Sequence, residues 1–181
     1  SFLITGFSLK SSVNELLDYE SRIRDYDFEI KMVNSVNEDE IKGYSNYIDV
    51  VDLNFTTIGN VHLEDEDIEI PVVIVKGSNS ALKLEDKKSN IIGFNDSSVV
   101  IPSKLLDDYN INISDSINID INFGMSSSNL NLSVSDIAQM YSSQMIYVSS
   151  EVLKRDNIDI SFNGAFIKLR AEDNITNIVN E

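Results

Sequence analysis

Apolar and polar positions are most legible from Val99 to Ile121, VVIPSKLLDDYNINISDSINIDI. Val99, Val100 and Ile101 form a β-branched run, the pattern of a buried strand. Pro102 ends that strand and suits the first turn of a helix, where its missing N–H costs nothing. Leu105, Leu106 and Tyr109 recur at helical spacing, and Asn110 is a residue that stops a helix in the left-handed conformation. After a turn at Ser114-Asp115, Ile117, Ile119 and Ile121 alternate with Asn118, Asp120 and Asn122, as in a strand buried on one face.

The same reading extends along the chain. Phe28, Ile30 and Met32 alternate with Glu29 and Lys31, which predicts a strand. Ser35 and Glu38 have capping-box spacing, and Ile41, Tyr44 and Ile48 share one helix face. A strand then runs from Ile48 through Val50, Val51 and Leu53 towards Phe55. Residues 54–76 read as extended chain with a turn at Gly59-Asn60, and Ile68, Ile70, Val72 and Ile74 form one apolar strand face. Pro71 inside that run predicts an edge strand or a bulge. Residues 77–98 and 122–136, rich in Ser, Asn, Asp and Gly, read mainly as loops, with a strand suggested by Leu130, Leu132 and Val134. Met145 to Val148 predicts a strand, Ser149 or Ser150 can cap a short helix over 151–155, and residues 162–169 close as a strand.

Residues 1–25 place Phe2, Leu9, Val13, Leu16, Leu17 and Ile23 near one another on a helix whose most apolar part comes first. This is either an ordinary amphipathic helix or the outer end of a membrane helix. No initiator Met opens the chain and no run of about 18 apolar residues spans a bilayer. The expectation is therefore a segment of something longer.

Composition narrows the partners. The 181 residues carry 14 Lys plus Arg against 30 Asp plus Glu, a formal net charge of −16. Such a surface repels nucleic acid and anionic headgroups. The absence of cysteine removes disulfides and thiolate chemistry.

Candidate chemistry is thin. His62 is the one histidine and belongs to an acidic run, His62-Leu63-Glu64-Asp65-Glu66-Asp67, that reads as a solvated hairpin tip, since the Gly turn and ligand spacing of an EF-hand are missing. Ser80 and Lys83 have the S-x-x-K spacing that sets a nucleophile beside a base, but no S-D-N or K-T-G motif accompanies them. A G-x-S-x-G elbow and a Gly-rich phosphate loop are absent too. No residue is assigned as catalytic, cofactor-binding or metal-binding, no cofactor is expected, and the chain reads as a non-enzyme that hydrolyses neither ATP nor acyl substrates.

Three separated segments carry a resemblance. Val100-Ile101-Pro102-Ser103-Lys104-Leu105-Leu106 followed by Ser114-Asp115-Ser116-Ile117, with Ser114 in place of a usual Gly, is one. Gly6, Phe7, Lys10 and Ser12 followed by Tyr26 and Asp27 is another, and Met145 to Glu151, MIYVSSE, is the third. Taken in their order along the chain they resemble the extracytoplasmic domain of FtsX-like, MacB-type ABC transporter permeases. The resemblance implies an α+β fold, the MacB-like periplasmic core domain, preceded by a membrane-proximal helix over 1–25. Residues 26–76 and 140–181 would form a mixed α/β subdomain, a split βαβ plus βαβ, with a mostly β subdomain inserted over 77–139. It further implies a non-catalytic domain on the extracytoplasmic side of the cell membrane, coupling ATP-driven motion of the membrane helices to export or release of a peptide, a lipoprotein or a small toxic compound. The implied partners are the transmembrane part of the same permease, a separate ATP-binding subunit, and an accessory or substrate protein, with no nucleic acid. A surface binding or adhesion module, or a sensory ectodomain, is the alternative.

Two topological expectations follow. The strand near Phe28–Met32 and the strand near Phe162–Leu169 should share one sheet, because neither terminal fragment can bury its apolar face alone. Helix 1–25 and the residues after Leu169 should leave the domain at one end, with Leu9 near Ala171 and with Phe2, Leu3 and Phe7 outside the core.

Overall fold

The structure is a computed structural model that describes residue 22, residues 25–32, 35–36, 39, 41, 47–76, 81–124, 126–141 and 143–170. Nine strands form one mixed sheet. In chain order they are β1 (Phe28–Lys31), β2 (Ile48–His62), β3 (Asp67–Val75), β4 (Val99–Pro102), β5 (Ser116–Asn122), β6 (Ser127–Ser133), β7 (Asp136–Ala138), β8 (Ile146–Ser149) and β9 (Gly164–Leu169), with helices α1 (Ser103–Tyr109) after β4 and α2 (Ser150–Lys154) after β8. The main path runs β1-β9-β2-β3-β8-β4-β7, and the β5–β6 hairpin joins at β2. This is the α+β class that the resemblance implies.

β2 is the axis of the sheet. Its first half pairs antiparallel with β9 (Val51↔Ile167, Leu53↔Ala165) and its second half with β5 (Gly59↔Ile121, Val61↔Ile119). β3 lies along its other side, from Asn54↔Val75 to His62↔Asp67. At about 3.3 Å per residue the 15 residues of β2 span roughly 45 Å, so its ends mark the two ends of the molecule. The first and last described strands meet as predicted, since β1 pairs with β9 through Phe28↔Ile167 to Lys31↔Gly164.

Alternation along the strands divides the core between the two faces of the sheet. One face buries Val61, Ile70, Val72, Ile119, Leu132 and Ile146 against Leu105 of α1 and Leu153 of α2, and continues into Leu53, Ala165 and Ile167. The opposite face buries Val73, Val75, Val100, Tyr147 and Phe166 beneath Leu82, Leu84 and Phe94 of the segment before β4. The C-terminal end of β3 and all of β8 are covered on both sides, which is why VVIV and IYVS are continuously buried.

The stretch Val99–Ile121 folds as its pattern predicts. Asn110 caps α1 in the left-handed region at φ 56°, and β5 alternates buried Ile with exposed or half-buried polar residues. Ser114 occupies the left-handed region at φ 75°, the conformation that a Gly would adopt freely there. Its turn is braced by Asp115, whose carboxylate accepts from the Asn112 amide at 2.7 Å.

Several expectations need correction. There is no turn at Gly59-Asn60, because β2 continues to His62 and the hairpin turns over Leu63–Glu66, where the Leu63 amide donates to the Glu66 carbonyl at 3.0 Å. Gly59 is there for closeness: a Cβ would stand 2.7 Å from both Ile119 Cδ1 and Val72 Cγ2. Pro71 lies in an inner strand, but β3 pairs with β8 only from Val72 onward, so the missing N–H faces a local edge. Pro102 is the last residue of β4 and the N-cap of α1, one position earlier than its predicted place in the first turn. β7 begins at Asp136, the last residue of the segment 122–136 read mainly as loop, and pairs parallel with β4 where no strand was predicted. β1 buries less than its alternation suggests, with Phe28 43% and Met32 50% exposed. Of the helix predicted over 1–25 only residues 22 and 25 are described, Arg22 in helical conformation, and Glu38 and Tyr44 of the second predicted helix and the positions Leu9 and Ala171 lie outside the described residues. Among the described residues no helix is long and apolar enough to cross a membrane.

Candidate functional site

Two polar constellations stand at opposite ends of β2. The first is where the chain enters β1 and leaves β9. The Asp25 carboxylate lies 2.7 Å from Lys83 Nζ and 2.8 Å from Lys168 Nζ. The Asp27 amide donates to the Ile167 carbonyl at 2.8 Å, and the Asp27 carboxylate accepts from the Leu169 amide at 2.7 Å. Between these two acids Tyr26 stacks on Phe166 with ring centroids 4.7 Å apart. Arg22 reaches Glu85 through both carboxylate oxygens at 3.2 Å. Lys168, then Lys83, holds the Asp25 carboxyl below its ordinary value, and burial opposes them. Asp25 in turn raises Lys168.

The second constellation is centred on His62 at the far end of β2. Its Nδ1 lies 2.8 Å from Asp67 Oδ1 and its Nε2 3.0 Å from Asp120 Oδ2. Asn129 Nδ2 donates to Asp120 Oδ1 at 2.8 Å, and Tyr109 donates its hydroxyl proton to Glu66 at 2.9 Å. The Asp67 and then the Asp120 contacts raise the His62 pKa above its ordinary value. Sequence reasoning placed His62 on an exposed acidic hairpin tip, which is where it lies. It missed the two carboxylates that hold the ring, because Asp120 is 58 positions away.

Neither constellation is arranged for catalysis. Lys83, the base of the S-x-x-K spacing, is ion-paired with Asp25 at 2.7 Å. Ser80 lies outside the described residues. Both ring nitrogens of His62 face carboxylates, so neither is directed at a hydroxyl nucleophile. Among the described residues no group of three His, Cys, Asp or Glu is placed to hold a metal ion. What the first constellation can do is mechanical: it clamps the chain's arrival to its departure through ion pairs, backbone hydrogen bonds and a stacked ring pair. No local sequence signal marks it, because Asp27 and Leu169 are 142 positions apart.

Among the described residues the buried polar atoms without a hydrogen-bond partner belong to Asn54 and to Gln144, the latter only at Oε1. Asn54 is fully buried on β2, and among the described residues neither its Oδ1 nor its Nδ2 is hydrogen-bonded. Gly164 of β9 makes room for it, since a Cβ there would stand 2.5 Å from Asn54 Oδ1 and 2.8 Å from the Ile30 carbonyl oxygen.

No protein-family model matches the chain, and no curated protein matches it by sequence. Solved structures do. The extracellular domain of the noncanonic ABC-type transporter YknZ from Gram-positive bacteria is similar with a TM-score of 0.57 and 14% identity, over 82% of this chain and 86% of that one. The periplasmic region of MacB from Actinobacillus actinomycetemcomitans is similar with a TM-score of 0.51 and 11% identity, over 83% of this chain and 77% of that one. The chain thus has the fold of these extracytoplasmic transporter domains, as the resemblance in its sequence implies.

Proposed function

We propose that the chain is a non-catalytic extracytoplasmic domain of an ABC transporter permease, passing ATP-driven motion of membrane helices to a substrate or an accessory protein. The observation that carries this reading is the clamp at Asp25, Asp27, Lys168 and Leu169, which brings the chain's arrival and departure side by side on neighbouring strands. A domain spliced between two membrane helices needs this geometry, whereas a free-standing binding or adhesion module has no need of it. The fold shared with the YknZ and MacB domains supports the same reading.

In this reading residues 1–25 lead out of the first membrane helix, residues 26–76 and 140–181 form the coupling subdomain, and residues 77–139 form the inserted subdomain. The ATP-binding subunit is a separate partner reached through the membrane helices. The exported or released compound is a peptide, a lipoprotein or a small toxic molecule. No catalytic, cofactor or metal residue is assigned.

The chain has no cysteine, so a single one is a clean reporter. Ser126 is exposed in the β5–β6 loop. In intact cells producing the full-length protein, Ser126→Cys should react with a membrane-impermeant maleimide, and the purified chain should turn over neither ATP nor acyl esters. Labelling that requires lysis would overturn the assignment.

A further inference from the structure

We propose that His62 is a protonated pin that holds the β5–β6 hairpin against the end of β2 and lets it go as the pH rises. The inference rests on hydrogen-bond geometry and is independent of the transporter reading. Nδ1 faces Asp67 Oδ1 of β3 at 2.8 Å while Nε2 faces Asp120 Oδ2 of β5 at 3.0 Å. A neutral imidazole has one N–H and one lone pair, and a carboxylate only accepts. One of the two contacts would then set a lone pair against a carboxylate oxygen. Only the imidazolium donates to both.

The alternative site for the proton is a carboxyl group, and the surroundings oppose it. Both Asp120 oxygens already accept, one from His62 and the other from Asn129 Nδ2 at 2.8 Å. The second Asp67 oxygen accepts from Asn60 Nδ2 of β2 at 3.5 Å. Among the described residues, the charged groups lining the two hollows beside His62 are all acids: Asp67 and Glu69 from β3, Glu64, Asp65 and Glu66 from the hairpin turn, Asp115 and Asp120 from before and within β5, and Asp108 from α1. β6 contributes only uncharged residues on that face, Ser127, Asn129, Asn131 and Ser133. The field favours the cation, and the pKa lies above 6.5, through Asp67 first and Asp120 second.

The pin matters because the β2–β5 seam is short. Its ladder covers Gly59–His62 against Asn118–Ile121. Beside it the described polar side-chain ties across the seam are His62 to Asp120 and the Thr57 hydroxyl, which donates to the Asn122 carbonyl at 2.6 Å, while Phe55 stacks on Phe123 with ring centroids 6.1 Å apart. Deprotonation leaves Asp67 and Asp120 flanking a ring that can satisfy only one of them. Because the folded-state pKa is raised, the stabilisation is fully present below the unfolded value of 6.5 and is lost as the pH climbs through the folded value.

His62 is the single histidine, so its ring resonances can be followed in the whole chain without ambiguity. In a proton NMR titration the midpoint should lie above 6.5, and Asp120→Asn and Asp67→Asn should each move it downward. Amide exchange at Asn118–Ile121, corrected for intrinsic base catalysis, should lose protection as the pH crosses that midpoint. In His62→Gln the protection should be low at all pH values and flat. A midpoint at or below 6.5, a midpoint unmoved by Asp120→Asn, or protection that does not change across the midpoint would overturn the proposal. If His62→Gln does not fold, the Asp120→Asn exchange profile decides in its place, and it should be flatter than that of the unaltered chain.

Discussion

The backbone amide of Leu169 donates to the carboxylate of Asp27 at 2.7 Å across 142 positions of sequence. Beside it Asp25 bridges Lys168 and Lys83, so three acid-to-base or acid-to-amide contacts converge where β1 begins and β9 ends. The start of β1 and the end of β9 are thereby fixed to each other.

The charge part of this clamp has a defined pH dependence. A carboxyl whose folded pKa is depressed contributes stability that is present above its unfolded value of 3.8 and is lost as the pH falls through the folded value. Asp25→Asn should therefore lower the urea midpoint at neutral pH, and the gap to the unaltered chain should shrink under acid conditions. Equal midpoints at neutral pH would mean that the ion pairs contribute nothing to stability.

Backbone closeness at β9 gives a sharper effect. The methyl of Gly164→Ala would meet the Ile30 carbonyl oxygen at 2.8 Å, and that oxygen is held by the sheet. We expect a loss of about 1–3 kcal/mol in urea unfolding. Gly59→Ala should cost less, because its 2.7 Å contacts are the terminal methyls of Ile119 and Val72, and Ile119 Cδ1 can rotate away. The reverse order would refute this account of the two glycines.

Local signals made much of this fold legible, and distant partners account for what was not. Asn110 as a helix stop, the Ile alternation of β5 and the Ser149 cap on Glu151 depend on residues a few places away, and each is where the pattern put it. Gly59-Asn60 has the composition of a turn, but the Gly answers to Ile119 and Val72, which the sequence alone does not bring near. β7 has three residues, too few for a period, and exists because β4 offers it an edge. The clamp was illegible as chemistry, though the pairing of β1 with β9 that creates it was predicted from the need of each end to bury its apolar face.

Asn54 tests whether a buried amide without partners is a burden. An unsatisfied polar group in the interior costs about 1–3 kcal/mol, whereas an apolar side chain of similar volume pays no such penalty. Asn54→Leu should consequently unfold at an equal or higher urea concentration. A clear loss of stability would mean that the amide makes bonds in solution.

The last prediction carries the clamp into the intact transporter, and it rests on the proposed function. If the domain passes motion between membrane helices and an outer partner, the step that can fail is the one where the flanking segments meet the sheet. Asp25 and Asp27 contribute the side chains there, while the sheet itself is held by the β1–β9 ladder and by the aromatic stack of Tyr26 on Phe166. An Asp25→Asn, Asp27→Asn double variant should thus remain folded, with unchanged circular dichroism, yet loosen the joint. In vesicles containing the full-length permease and its ATP-binding subunit, the amount of substrate moved per ATP hydrolysed should fall while ATP hydrolysis continues. Ser126→Cys, at the far loop, should leave that ratio unaltered. A double variant that transports as much per ATP as the unaltered protein would show that motion does not pass through this joint.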